Sequence, residues 1–396
     1  MMSKNKVPEI CFNGFSKELV ETRLGDICTI GDIDHRMPKS VLEGIPYLMT
    51  GDFIDNNGLD FKNCKFISIE DYEQLSRKIK PEVNDILFAR YASVGDVRYV
   101  ETDIKFLISY SCAIIKCNKD IVGRFLFYYL QSNRIQYQIE ININTGSQRN
   151  IGIDSLKKLT IFIPKIEEQE RIGNYFQQLD KLIEQKEKKY QKLKQFKKAM
   201  LDKMFPKNGA DTPEIRFKGF SGKWEEKSLE EIVDRYDNLR IPISASNRIA
   251  GDTPYYGANG IQDYVQGFTH DGEFILVAED GANDLKNYPV QYVNGKIWVN
   301  NHAHVLQAKK DISSNKFLKY SISKINIEPF LVGGGRAKLN ANIMMKINIY
   351  VPLLELQEQE KIGNYFQKLD SQIDLQQKEL EKLKNIKKAS LAKMFV

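Results

Sequence analysis

The sequence predicts an α+β protein laid out as a tandem duplication, with two mixed α/β domains that are each followed by a long helix. Three observations carry this reading. A helical segment, Glu167 to Phe205, recurs without a gap at Glu358 to Phe395, with Ile172 and Ile362, and Met204 and Met394, each 190 residues apart. A lead segment, VPEICFNGFS at residues 7–16, recurs as TPEIRFKGFS at 212–221. Between lead and helix, both halves run through the same succession of short strands and polar turns, ending at Pro164 or Pro352. The boundaries that follow are 1–164 for the first domain, 165–206 for the central long helix, 207–352 for the second domain and 353–396 for the C-terminal long helix.

Each lead segment runs into a short amphipathic piece, TRLGDICTI or KSLEEIVDR. Turn-rich, short-strand sequence occupies 45–69, and 82–100 (EVNDILFARYASVGDVRYV) reads as strand, polar turn, strand. GEFILVAEDGAND at 272–284 takes the equivalent place in the second half. SYSCAIIKC at 109–117 corresponds to VNNHAHVLQA at 299–308, and each precedes a helical segment, VGRFLFYYLQS or NKFLKYSIS. Polar turns follow at 145–156 (TGSQRNIGIDSL) and 332–343 (VGGGRAKLNANI), then the final strands LTIFIP and INIYVP. Proline removes a ladder donor and fixes φ, so it stops each strand before the long helix begins. Residues 206–212, PKNGADT, read as a surface linker.

The long helices carry apolar residues at alternating steps of three and four. The first has Ile172, Phe176, Leu179, Ile183, Tyr190, Leu193, Met200 and Met204; the second has Ile362, Phe366, Leu369, Ile373, Leu380, Leu383 and Met394. This spacing makes one narrow stripe on a helix otherwise covered by Lys, Gln and Glu. Polar residues interrupt the seam at Lys186 and Lys197 against Gln376 and Lys387, and Ser390 replaces Met200. Such positions weaken a coiled coil but can fix its register. Each helix would run about 58 Å at ~1.5 Å per residue. A helix so narrowly striped cannot bury itself alone, and its partner is its own duplicate.

The 396 residues carry a net charge of +6, with lysines crowding the helices, which fits a polyanion partner without demanding one. The five cysteines (Cys11, Cys28, Cys64, Cys112 and Cys117) are odd in number and make no CxxC pair, which argues against a disulfide framework or zinc site and for a reducing cytoplasm. No apolar run has the length of a signal peptide core or a membrane span, so a cytoplasmic chain without membrane contact is expected.

Catalytic motifs are absent. There is no GxxxxGK[ST] or GxGxxG, and Gly333-Gly334-Gly335-Arg336 reads as a flexible turn rather than a phosphate cradle. His302-Ala303-His304 puts two imidazoles on one face of a strand, but a metal needs further ligands, so no metal is expected. Glu184-Gln185-Lys186 sits in mid-helix, where Glu–Lys pairs are commonplace. The scaffold is kept between halves while the domains diverge in residue identity, which is the layout of an adaptor presenting two different readers.

The polar turns collect residues suited to DNA. The candidates in the first domain are Arg90, Tyr91, Gln148, Arg149 and Asn150; in the second they are Tyr255, Tyr256, Asp280, Asn283, His302, His304, Arg336 and Lys338. Arg and Lys pair with guanine, and Asn and Gln with adenine, in the major groove. Arg77, Lys78, Lys80 and Arg240 suit phosphates, which position without specifying.

These residues together resemble a known family, the specificity (S) subunits of Type I restriction-modification systems, over essentially the full length. The resemblance rests on the duplicated IGNYF-Q-LD helix openings, the EQE-(R/K)-I lead-ins and the strand–proline–helix junctions at Pro164 and Pro352. ILFARYASVG, ILVAEDGAN, GSQRN and GGGRAKLN are also similar to elements of such recognition domains. The resemblance implies that the helices pack as an antiparallel coiled coil with a pseudo-two-fold axis. Each target recognition domain would then read one half of an asymmetric, bipartite double-stranded DNA target, with the helices setting the spacer. It also implies two modification (methyltransferase) subunits and restriction subunits as partners. S-adenosylmethionine, ATP and Mg would belong to those partners, with no cofactor and no catalysis in this chain. The competing readings are a coiled-coil scaffold that binds proteins without DNA sequence specificity, and a stand-alone methyltransferase or nuclease.

Overall fold

The structure, a computed structural model, describes residues 7–13, 19–55, 57–146, 148–207, 209–333, 337–353 and 355–395. Gly14, Phe15 and Ser16 of the first lead segment therefore lie outside the described residues. The chain divides into two compact units, residues 1–186 with 379–396, and residues 187–378.

The first unit is built on a four-stranded antiparallel sheet in the order Cys28–Gly31, Cys112–Cys117, Ile86–Ala89, Val97–Tyr99. The ILFA strand explains its continuous apolar run. Ile86 and Phe88 point into one core with the helix Gly123–Tyr129, while Leu87 points into a second core under the sheet Lys65–Ile67, Ile45–Leu48, Leu107–Ile108. A strand covered on both faces needs no polar alternation. The second unit repeats the scheme around six strands, with Ile275 and Val277 facing one core and Phe274 and Leu276 the other. The central pairings correspond: Cys112 lies opposite Ala89, and Ala303 opposite Ala278. In both units the proline-stopped strand stays out of the central sheet. Thr160–Ile163 pairs with Val20–Arg23, and Asn348–Val351 with Glu225–Ser228, each feeding directly into a long helix.

The long helices are Ile166–Met204 and Leu356–Met394. Within the first unit the start of one runs antiparallel to the end of the other, through Tyr175 with Ser390, Asp180 with Lys387 and Lys186 with Glu379. Within the second unit Tyr190 meets Gln377, and Lys197 meets Asp370, in the same antiparallel sense. The seam lysines thus have partners, and Ser390, in the place of a methionine, bonds the Tyr175 hydroxyl at 3.1 Å. The apolar stripe does two jobs. Ile172 and Phe176, and Ile362, Phe366 and Leu369, belong to the cores of the domains, whereas Leu179, Ile183 and Leu380, with Leu383, form a helix–helix seam. Tyr190, Leu193, Met200 and Ile373 are half-buried.

The glycine of each IGNYF opening permits close approach. A Cβ on Gly173 would lie 3.1 Å from the Phe125 nitrogen, and one on Gly363 would lie 2.8 Å from the Phe317 nitrogen. The far end of the opposite helix closes each core. Phe395 packs on Phe125, Tyr129 and Phe176, and Phe205 packs on Phe317, Phe366 and Trp224.

One equivalent pair of sites differs. In the second unit the Arg216 guanidinium grips Glu358 through two contacts of 2.7 Å. The matching positions in the first unit are Cys11 and Glu168, so Glu168 is 4% exposed and has no side-chain partner among the described residues. Burial raises its carboxyl above the ordinary 4.5. A raised acid contributes stability below its unfolded value and loses it as pH rises through its folded value. Substituting Cys11→Arg should supply the missing cation. Thermal unfolding between pH 4 and 8 is expected to show a higher Tm at neutral pH, by ~2–4 °C for each ~1 kcal/mol gained, and a flatter pH dependence than the parent chain. An unchanged profile would show that Glu168 does not accept a guanidinium there.

Candidate nucleic-acid interface

In each unit the loop after the central strand is tied to the polar turn that comes much later in the chain. In the first, the Ile151 amide donates to the Arg90 carbonyl at 3.0 Å, and Tyr91 forms a bridge with Asn150. In the second, the Leu339 amide donates to the Glu279 carbonyl at 2.7 Å, and Asp280 bridges to Lys338. Sequence turns some 60 residues apart thereby become one surface in each unit.

Under the first of these surfaces lies a buried ion pair. Asp32, just past the strand Cys28–Gly31, accepts from the buried Arg90 guanidinium, whose Nε also donates to the Ile151 carbonyl at 3.0 Å. His35 and Lys78 contact the same carboxylate at 2.9 and 3.3 Å. Burial by itself would raise Asp32, but the His35 hydrogen bond and the charges of Arg90 and Lys78 outweigh it and hold the carboxyl below its usual value. His35 stacks on Tyr110 with ring centroids 4.8 Å apart, and Arg36 reaches Asp71 at 2.7 Å.

The second surface has the same frame with other charges. Asp237 stands 205 residues after Asp32 and Arg240 stands 205 after His35, the offset that also separates Ile10 from Ile215. Glu279 occupies the place of Arg90, so the central charge is inverted, and cations gather around it. Arg240 lies 2.6 Å and Lys338 2.8 Å from Glu279, and His304 Nδ1 lies 2.7 Å from Asp237. Against the opposing effect of burial, His304 and Arg240 hold Asp237 low, and Lys338 and Arg240 hold Glu279 low. The bond to Glu279 raises Lys338. Asp237, Glu279 and His304 bring potential ligand atoms within 4.8 Å of one another. Yet His304 Nε2 is engaged by the Leu339 carbonyl at 2.8 Å, and the carboxylates already hold Arg240 and Lys338. The chemistry of this set is that of an internal salt-bridge network rather than a cation site.

The remaining candidates distribute as follows. Arg90, Tyr255 and His304 are buried, so in this conformation they brace the loops instead of facing outward. The Tyr255 hydroxyl donates to the Ile243 carbonyl at 3.2 Å and Arg248 covers its ring. Arg240 is half-buried in the network, and Tyr256 is half-buried, its phenol raised by burial. Arg77, Lys78, Lys80, Gln148, Arg149 and Asn283 are exposed. Lys80 pairs with Glu82 at 3.7 Å and Arg149 pairs with Glu140. Asn150 and Tyr91 are half-exposed, and His302 is held to Asp280 at 2.6 Å. Arg336 lies outside the described residues. Sequence reading missed Asp32, His35, Asp237 and Glu279. The signal available was the 205-residue offset, which carries from the lead segments through to Asp32 and Asp237.

The fold and surfaces define a tandem-duplicated scaffold that presents two loop clusters of different charge on one repeated frame. A family profile described as the Type I restriction modification DNA specificity domain matches residues 16–195 and 221–385. The chain belongs to this family. A Haemophilus influenzae protein named for a type I restriction enzyme specificity subunit (S.HindORF215P) is 44% identical over 151 residues, covering 38% of each chain. The match thus spans well under two thirds of that relative. The Methanocaldococcus jannaschii MjaVIII specificity subunit is 24% identical over 395 residues, 89% of this chain and 85% of the other. The crystal structure of a Type-I restriction-modification system S subunit from M. genitalium shares the fold with a TM-score of 0.71, at 18% identity and over 98% and 99% of the two chains.

Asp32→Asn would leave a buried guanidinium without its counter-charge, a change that costs about 3–5 kcal/mol when a buried pair is broken. A carboxyl held below 3.8 contributes stability above that pH and loses it as pH falls through the lowered value. Denaturant unfolding should therefore show a large deficit for the variant at pH 7 that narrows in acid below about pH 4.

Proposed function

We propose that this chain is the DNA sequence-specificity subunit of a type I restriction-modification complex, in which each domain reads one half of an asymmetric bipartite double-stranded DNA target. The observation that carries the reading is the pair of loop surfaces. They share one frame, Asp32 or Asp237 beneath a joined strand-end and turn, but present Tyr91, Gln148, Arg149 and Asn150 over the buried Arg90 in one unit and Asp280 and Lys338 over Glu279 in the other. Two unlike readers on one repeated skeleton suit a target of two unlike halves. Exposed Arg77, Lys78 and Lys80 supply phosphate contacts, and the helix pair acts as the ruler for the unread spacer.

Two modification subunits dock on the long helices, restriction subunits join them, and S-adenosylmethionine, ATP and Mg are used by those partners. This is supported by apolar side chains left exposed on both helices, including Phe196 at 45% and Ile386 at 37%, which the 190-residue register makes equivalent. Equivalent positions on two helices provide two places for two copies of one partner. Charge substitution of both, Phe196→Lys with Ile386→Lys, is expected to reduce co-purification of the modification subunit at least tenfold while leaving the unfolding temperature of the chain unchanged. Full retention of the partner would move docking elsewhere.

The central test maps methylated adenine by long-read sequencing in cells that hold the modification subunit with or without this chain. A bipartite motif that depends on the chain supports the reading, and binding to that motif should weaken steeply as salt is raised. If the complex assembles and no motif appears, the domains bind proteins rather than DNA.

A further inference from the structure

Two polar points recur in both units where a long helix meets its domain. The first is a buried glutamine of the EQE lead-in. Gln169 accepts from the Val122 amide at 2.8 Å and donates to the carbonyls of Pro164 and Asp120 at 2.9 and 3.3 Å. Gln359, 190 residues on, accepts from Ser313 and the Ser314 amide at 3.0 Å and donates to Ile312 and Pro352. The second point is the aspartate of the LD motif, eleven residues later. Asp180 accepts from the Tyr128 hydroxyl at 2.9 Å and holds Lys387 of the opposite helix at 2.7 Å. Asp370 accepts from the Tyr320 hydroxyl at 2.8 Å and holds Lys197 of the opposite helix, with Lys319 added at 2.6 Å. In both units the lysine also lies 5.7 Å from the centre of the same tyrosine ring.

Eleven residues are about three helical turns and ~16 Å, so the glutamine and aspartate stand on one face of the helix. The glutamine fixes the domain along the axis. The aspartate fixes its rotation, and because the lysine belongs to the other helix, it refers that rotation to the helix pair. The apolar contacts between them, such as Tyr128 on Phe176 and Tyr320 on Phe366, give adhesion without direction. Direction matters to a two-part reader. Adding one base pair to a spacer displaces a half-site by ~3.4 Å and turns it by ~34°, given ~10.5 base pairs in a ~36 Å turn. Rejecting the wrong spacer requires each domain to be held more tightly than that.

We propose that Asp180 and Asp370, each with its tyrosine and its cross-helix lysine, are positioning residues that set spacer stringency, an inference that rests on the DNA-reading function proposed above. The two vertices act separately, since each holds only its own domain.

The experiment uses the chain assembled with its modification subunits in cells, with methylated adenine mapped by long-read sequencing. Asp180→Asn, Asp370→Asn and the milder Tyr128→Phe and Lys387→Met are compared with the parent. The expected result is that both half-sites stay the same, while the ratio of methylation at spacers one base pair longer or shorter to methylation at the parental spacer rises at least tenfold. Asp180→Glu should restore part of the stringency. Lower yield or Tm with an unchanged spacer distribution would show a merely structural bond and overturn the proposal. If the asparagine variants do not accumulate, Tyr128→Phe and Lys387→Met decide in the same way. Failure of the underlying reading looks different, because the parent chain itself would then produce no bipartite motif.

Discussion

A phenylalanine at the end of each long helix closes the core of the domain that precedes the other helix, and the architecture depends on this contact. Phe395 sits among Phe125, Tyr129 and Phe176, and Phe205 sits among Phe317, Phe366 and Trp224. A narrow apolar stripe over 39 residues has nowhere to go on its own. The structure satisfies it in pieces, first against the helix's own domain through Ile172 and Phe176 or Ile362 and Phe366, then against the partner helix, and last in the other core. The glycine of IGNYF and the glutamine of EQE follow from the first of these contacts, and the seam lysines from the second.

Polar groups within each unit serve direction more than adhesion. Asp32 and Asp237 hold loops that apolar packing would leave free to rotate, and Asp180 and Asp370 do the same for whole domains. A buried ion pair adds little net stability against an apolar alternative of equal size, yet it tolerates few geometries. The inversion from Arg90 to Glu279 shows how the frame accepts a new surface: one residue changes sign, and Arg240 and Lys338 balance it.

The order of elements was readable because both halves repeat it. Proline-ended strands, the ILFA and ILVA runs and the helix registers each left a local pattern. The site was less legible. Arg90 follows a strand in a polar turn, which is how an outward reader looks in sequence, and nothing near it reveals that Asp32 will arrive beside it. His304 presents the same difficulty with Asp237. Burial of a charged side chain is decided by a partner distant in sequence, and periodicity carries no information about such a partner. The duplication did hold the clue, since Asp32 and Asp237 keep the offset of the lead segments, but only a close comparison of the halves beyond their obvious motifs would have found it.

The division of the chain into units has a consequence for how it is made. Residues 187–378 form a continuous stretch, so the second unit has all its parts as soon as that stretch has left the ribosome. The first unit is interrupted, and its core lacks Met394 and Phe395 until residues 379–395 have been synthesised. The domain translated first is therefore the one completed last. It waits through the synthesis of nearly two hundred residues without the Phe395 ring that packs on Phe125, Tyr129 and Phe176, a period in which a nascent chain is open to chaperones and to mispairing with other copies.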